Sequence, residues 1–234
     1  MKNKYQINFM PESYPEYCST ACLMWILNYF WYTQFNMKDT RDVIKIGKMG
    51  KFKYKNILDE HDIAYCLDRL WFNVTIYHEI TEQEHNQIFI DPIKAFKRDT
   101  KEEYHKHIQW NSYIFSSGRK LDISAKKIKK IKEQTNIKHT FDSDFAKIIK
   151  TEQNENTLFL LGLDGYILSN ESYPHKDFCW GHVVLCKWYK NRKFEIYDSW
   201  PKKQPLWIDE KTVENAMKKS RKYHFLKITP NDVI

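Results

Sequence analysis

Apolar positions recur along this chain in several distinct rhythms. Residues 19–31, STACLMWILNYFW, are apolar nearly all the way round a helical turn, which predicts a helix buried on every side rather than one with a single core-facing stripe. In DIAYCLDRL, residues 62–70, Ile63, Cys66, Leu67 and Leu70 fall on one helical stripe, so Cys66 reads as a core residue. FNVTIYH, residues 72–78, alternates Phe72, Val74 and Ile76 with polar neighbours and predicts a strand. The continuous apolar run TLFLLGL at 157–163 predicts a strand buried on both faces. Two further strands, GHVVLCKWY and KFEIYD, are joined by a tight turn read as the three residues Lys190-Asn191-Arg192. The chain closes with a strand PLWI, a helix EKTVENAMKK capped by Asp209, and a strand YHFLKI. Helices come early and strands late, which argues for an α+β fold rather than an alternating parallel sheet.

Between about 80 and 150 the pattern is lysine-rich and mostly helical. Its densest stretch, AKKIKKIK at 125–132, spaces Ile128 and Ile131 three apart and reads as an amphipathic helix with a solvated face. The net charge of +8 would suit an acidic partner, but this reading of the lysine run points away from nucleic acid. His105 and His107, in the same charged region, read as surface residues. No repeat and no linker-like stretch interrupts the chain, so residues 1–234 are expected to form a single domain. No run of apolar residues is long enough to predict a membrane span. The first residues, MKNKYQINFMPES, lack the apolar centre of a secretory signal. Five cysteines, an odd number, suit thiols in a reducing, cytoplasmic setting better than a disulfide scaffold.

Cys18 is the first candidate for chemistry. Pro15 cannot lie inside a helix, and Ser19-Thr20 is a common way to open one, which puts Cys18 at a helix N-terminus. There the unpaired N–H groups and the positive end of the helix dipole favour thiolate, the nucleophilic form. Cys22, one turn further in, reads as a small core residue. A cysteine nucleophile needs a base and a group to orient that base. A three-residue turn centred on Asn191 would set His182 opposite Trp200 and place Asp198 diagonally beside it on the same face. Such diagonal neighbours lie about 7–8 Å apart at the backbone, within reach of an aspartate–imidazole hydrogen bond. A loop with an even number of residues would send the two side chains to opposite faces. His182 also admits a plain reading as a half-buried strand histidine.

YCSTACLMWILNYF, TLFLLGLDGYIL, GHVVLC with YDSWP, and the closing strand–helix–strand resemble the bacteriocin-processing cysteine peptidases of the C39 type. These cleave double-glycine leaders and belong to the papain-like superfamily. GHVVLC in particular is similar to a branch that carries a guanylyl-cyclase label. The resemblance covers roughly 11–33 and 157–228, and more loosely DIAYCLDRL. It implies a papain-like fold with an N-terminal nucleophile helix packed on an antiparallel sheet, and a cysteine-dependent hydrolase or acyl-transfer activity on a peptide or protein amide, above all a peptidase. Carried across, the family motif makes Cys18 the nucleophile, His182 the base and Asp198 the orienting group, with no cofactor. The chain departs from the family at two places. Ser19 stands where Gly is usual, and Glu12 stands where a Gln donates to the oxyanion. An ionised carboxylate cannot donate and would oppose the developing charge. The membrane helices and ATPase of the bacteriocin exporters are not in this sequence, so a free-standing catalytic-type domain is expected.

Three other readings stand beside this one. Cys18-x3-Cys22 with Cys179-x2-His182-x3-Cys186 has the ligand types for zinc. However, Cys186 and His182 on one core strand would be about 13 Å apart, so no metal is expected. A nucleotide cyclase would need Mg²⁺-binding carboxylates and a glycine-rich phosphate cradle, and no such loop is visible. A non-catalytic protein-binding relative of the same fold would explain Glu12 directly.

Overall fold

The computed structural model describes residues 18–31, 35–36, 39–40, 60–84, 136–169, 181–199, 205–220 and 224–231. Glu12, Cys179, Trp200, His105, His107, the lysine run at 125–132 and most of the 80–150 region lie outside the described residues. The elements run α1 (Cys18–Trp31), α2 (Glu60–Arg69), β1 (Phe72–His78), β2 (Lys138–Thr140), α3 (Phe145–Glu152), β3 (Leu158–Asp164) and α4 (Gly165–Ser169). They continue with β4 (Gly181–Lys190), β5 (Lys193–Tyr197), β6 (Leu206–Asp209), α5 (Glu210–Ser220) and β7 (His224–Pro230).

The strands form one seven-stranded sheet in the order β2-β1-β7-β3-β4-β5-β6, so this is an α+β molecule. The sheet is mostly antiparallel. At one edge β2 runs parallel to β1, with Ile76 beside His139. The described C-terminal part of the 80–150 region is the short strand β2 followed by the helix α3. Parallel neighbours need a long crossover, and more than fifty residues separate β1 from β2. A three-residue strand, KHT, is too short for an alternation pattern to register.

Helices cover both faces of the sheet. On one face α1 and α2 pack against Val74, Ile76, Leu160, Leu185 and Leu226. On the other, α3 and α5 pack against Phe159, Leu161, Val184, Phe194 and Phe225. This is why β3 is buried at every position: alternate residues enter two different cores. α1 is buried continuously from Ser19 to Tyr29, as its all-round apolar sequence predicts. Asp209 caps α5, with its carboxylate accepting from the Thr212 N–H at 2.9 Å and from the Thr212 hydroxyl at 2.6 Å. Among the described residues no helix is long and apolar enough to cross a membrane.

Candidate active site

Cys18 is the first residue of α1, and α1 lies against β4. One turn in, the Cys22 thiol donates to the carbonyl of Val183 at 3.5 Å, so the opening of α1 is seated on the start of β4 beside His182. Cys22 is fully buried, and burial first, then the charges of Cys18, Asp198 and Glu60, hold its thiol well above the ordinary range. Burial likewise pushes the Cys186 thiol up, and Cys66 is buried in the α1–α2 core. Of the four described cysteines, Cys18 alone is partly exposed.

His182 and Asp198 are both enclosed. The His182 ring is inaccessible to solvent and Asp198 is 2% exposed. His182 Nε2 lies 2.5 Å from Asp198 Oδ1, short enough for a charge-assisted bond in which the ring N–H donates to the carboxylate. Burial alone would lower the imidazole's affinity for its proton. The hydrogen bond to Asp198, then one with the Cys18 side chain, and the negative charges of both overcome this and raise its pKa from 6.5 to about 10. With Nε2 committed to Asp198, Nδ1 is the ring nitrogen left for Cys18. The Ser19 hydroxyl lies 3.9 Å from Cys18 Sγ. The structure thus brings together Cys18, His182 and Asp198, the three residues singled out in the sequence.

The route by which it does so differs from the one expected. The β4–β5 turn has two residues, not three: Lys190 pairs with Lys193, and Asn191 and Arg192 occupy the left-handed region at φ 53° and 59°. Positive φ at both central positions is the mark of a type I′ hairpin turn. An even loop by itself would separate His182 from Asp198. A register shift between Cys186 and Tyr189 restores the parity, because two residues of β4, Lys187 and Trp188, oppose the single residue Glu195 of β5. The sequence carries one sign of this feature, a lysine in the interior of a largely apolar strand.

The described residues hold no group of three histidine, cysteine or acidic side chains arranged to bind a metal ion. Cys186 belongs to the core cluster on the α3–α5 face, and its thiol lies against the Trp188 carbonyl. Comparison with protein-family models, with curated proteins and with solved structures gave no match to this chain.

Proposed function

We propose that the chain is a cysteine-dependent hydrolase or acyl-transfer enzyme of papain-like architecture, acting on a peptide or protein amide, and specifically a peptidase. The observation that carries the reading is the buried His182–Asp198 bond with Cys18 as the second partner of the imidazole. A ring that keeps its proton to about pH 10 stands beside a thiol at a helix N-terminus, which favours a thiolate–imidazolium pair at neutral pH. The thiolate attacks the amide carbonyl carbon, forming a C–S bond and moving the carbonyl electron pair onto oxygen. The Cys18 backbone N–H, in the first turn of α1, is a donor for that oxyanion. As the C–N bond breaks, His182 gives its proton to the departing amine, leaving an acyl thioester. Water then attacks the thioester while His182 takes up its proton. The carboxylic acid leaves and Cys18 is regenerated as thiolate beside imidazolium. Asp198 holds the ring orientation and supports its positive charge throughout. With an amine in place of water, the same steps transfer the acyl group.

Glu12, in place of the usual donor, favours a second reading in which the fold binds a protein without cleaving it. Proteome-wide mapping of new peptide termini and deamidated side chains, with the native protein against Cys18→Ala, separates the two. Cys18-dependent new termini are expected. Identical maps for the two proteins would transfer the assignment to the binding reading.

A further inference from the structure

The parity that brings His182 to Asp198 is not a property of the hairpin turn. Continuing the pairing of Lys190 with Lys193 and Tyr189 with Phe194 without interruption would set Cys186 opposite Tyr197 and Leu185 opposite Asp198. Asp198 would then lie on the face away from His182, and Ser199 would take the place diagonal to the imidazole. In the folded chain Cys186 instead pairs with Ile196 and Leu185 with Tyr197. Cys186 and Tyr189, three apart in sequence, accordingly pack in the same core, whereas an unbroken strand would send them to opposite faces.

The shift is held from the side of β4 opposite β5. β3 begins at Leu158 and first pairs at Phe159 with Cys186, so it ends short of Tyr189. The side chain of Gln153 stands there instead. Its Oε1 accepts from the Tyr189 N–H at 2.6 Å, and its Nε2 donates to the Tyr189 carbonyl at 3.2 Å. Lys187, 2% exposed, donates from Nζ to the carbonyls of Asn154, Glu155 and Thr157 at 2.8, 2.9 and 3.0 Å. An ammonium has three N–H donors and each meets a carbonyl here, so this loop and the shifted strand hold each other in place.

We propose that the β4 bulge, clamped by Gln153 and Lys187 against the 153–157 loop, is the device that sets the register of His182 on Asp198, which makes Gln153 and Lys187 positioning residues for the site. The proposal rests on the reading of Cys18, His182 and Asp198 as one reacting group, and its test needs no substrate. NMR cross-strand contacts between Cys186 and Ile196 report the shifted register directly, and a pH titration of the His182 ring reports the carboxylate beside it. Removing both clamps in the double variant Gln153→Ala/Lys187→Met should exchange the Cys186–Ile196 contact for Cys186–Tyr197 and bring the His182 pKa from about 10 towards 6.5, whereas deleting Trp188, the extra residue, should leave Cys186 opposite Ile196. Gln153→Ala should weaken the same contact and slow iodoacetamide labelling of Cys18 at pH 6.5 by about tenfold. Gln153→Glu, which keeps the acceptor for the Tyr189 N–H, should recover most of that rate. Gln153→Ala folded, with Cys66 still protected from labelling and with wild-type register and His182 titration, overturns the proposal even if the double variant does not fold. A wild-type protein that cleaves nothing but shows these register effects would refute the proposed activity and leave the register device standing.

Discussion

Two buried imidazoles in this molecule have partners of different chemistry. His182, at the start of β4, is bonded to a carboxylate, which accepts a hydrogen bond from the N–H of either the neutral or the charged ring. His78, at the end of β1, is bonded to another imidazole, with Nε2 3.0 Å from Nδ1 of His139, and is stacked on that ring and on Phe141. In that bond one nitrogen must accept, so at least one of the two rings is neutral while it is made. Both histidines are almost wholly buried, and both lie at a strand end. Burial therefore does not decide what a histidine does here. The partner decides, and β-sheet register chooses the partner: β1–β2 pairing sets Ile76 against His139, and the bulged β4–β5 pairing sets His182 near Asp198.

The sharpest way to break the comparison is to remove the proposed nucleophile. Cys18→Ala should lower amide hydrolysis by about 10⁴-fold or more, read with a peptide library as substrate, and should leave the His78–His139 pair unchanged. Replacing the carboxylate tests the charged member of the comparison. Asp198→Asn should cost about 3–5 kcal/mol in urea unfolding, because it uncouples a buried charge, and should bring the His182 titration down from about 10. An unchanged titration would mean that Asp198 does not hold the imidazolium.

The pH dependence of stability follows from the same pair. His182 has a folded pKa raised above its unfolded value, so its contribution is complete below about 6.5 and is lost as pH rises towards about 10. Lys187 runs the other way, since burial lowers its pKa to about 8 and relieves the cost of its charge as pH rises from there. The difference between wild-type and Asp198→Asn unfolding curves isolates the histidine. It should shrink steadily between pH 6.5 and 10, and a difference that is flat across that window would contradict the assignment. The smallest expected effect is at the other imidazole pair. His139→Phe should cost about 1–3 kcal/mol through the lost bond to His78, and should leave the labelling rate of Cys18 within about twofold.

Much of this was legible in the chain itself. An all-round apolar run made α1 a buried helix, alternation made Phe72–His78 a strand, and Asp209 announced the start of α5. Cys18, His182 and Asp198 stood out because a thiol at a helix start, a histidine entering an apolar strand and an aspartate leaving the next one each carry a local signature. Periodicity and capping are local physics, set within one or two turns of backbone. The turn was misread because Asn191-Arg192 lacks the glycine that usually marks a type I′ loop. The parallel edge was missed because β2 is three residues long and its partner lies far away in sequence.

Which residues share a face across two strands depends on every residue between them, and one extra residue reverses the answer. Here that extra residue is in β4, held by Gln153 and by the contacts of Lys187 with a loop some thirty residues earlier. The types of residue at the candidate site, and the elements that carry them, were therefore determined by the sequence through local rules. Their meeting, the enclosure of His182 and Asp198 away from water, and the charge that His182 keeps were decided only by tertiary structure, because register and burial come from contacts between segments that no local pattern records.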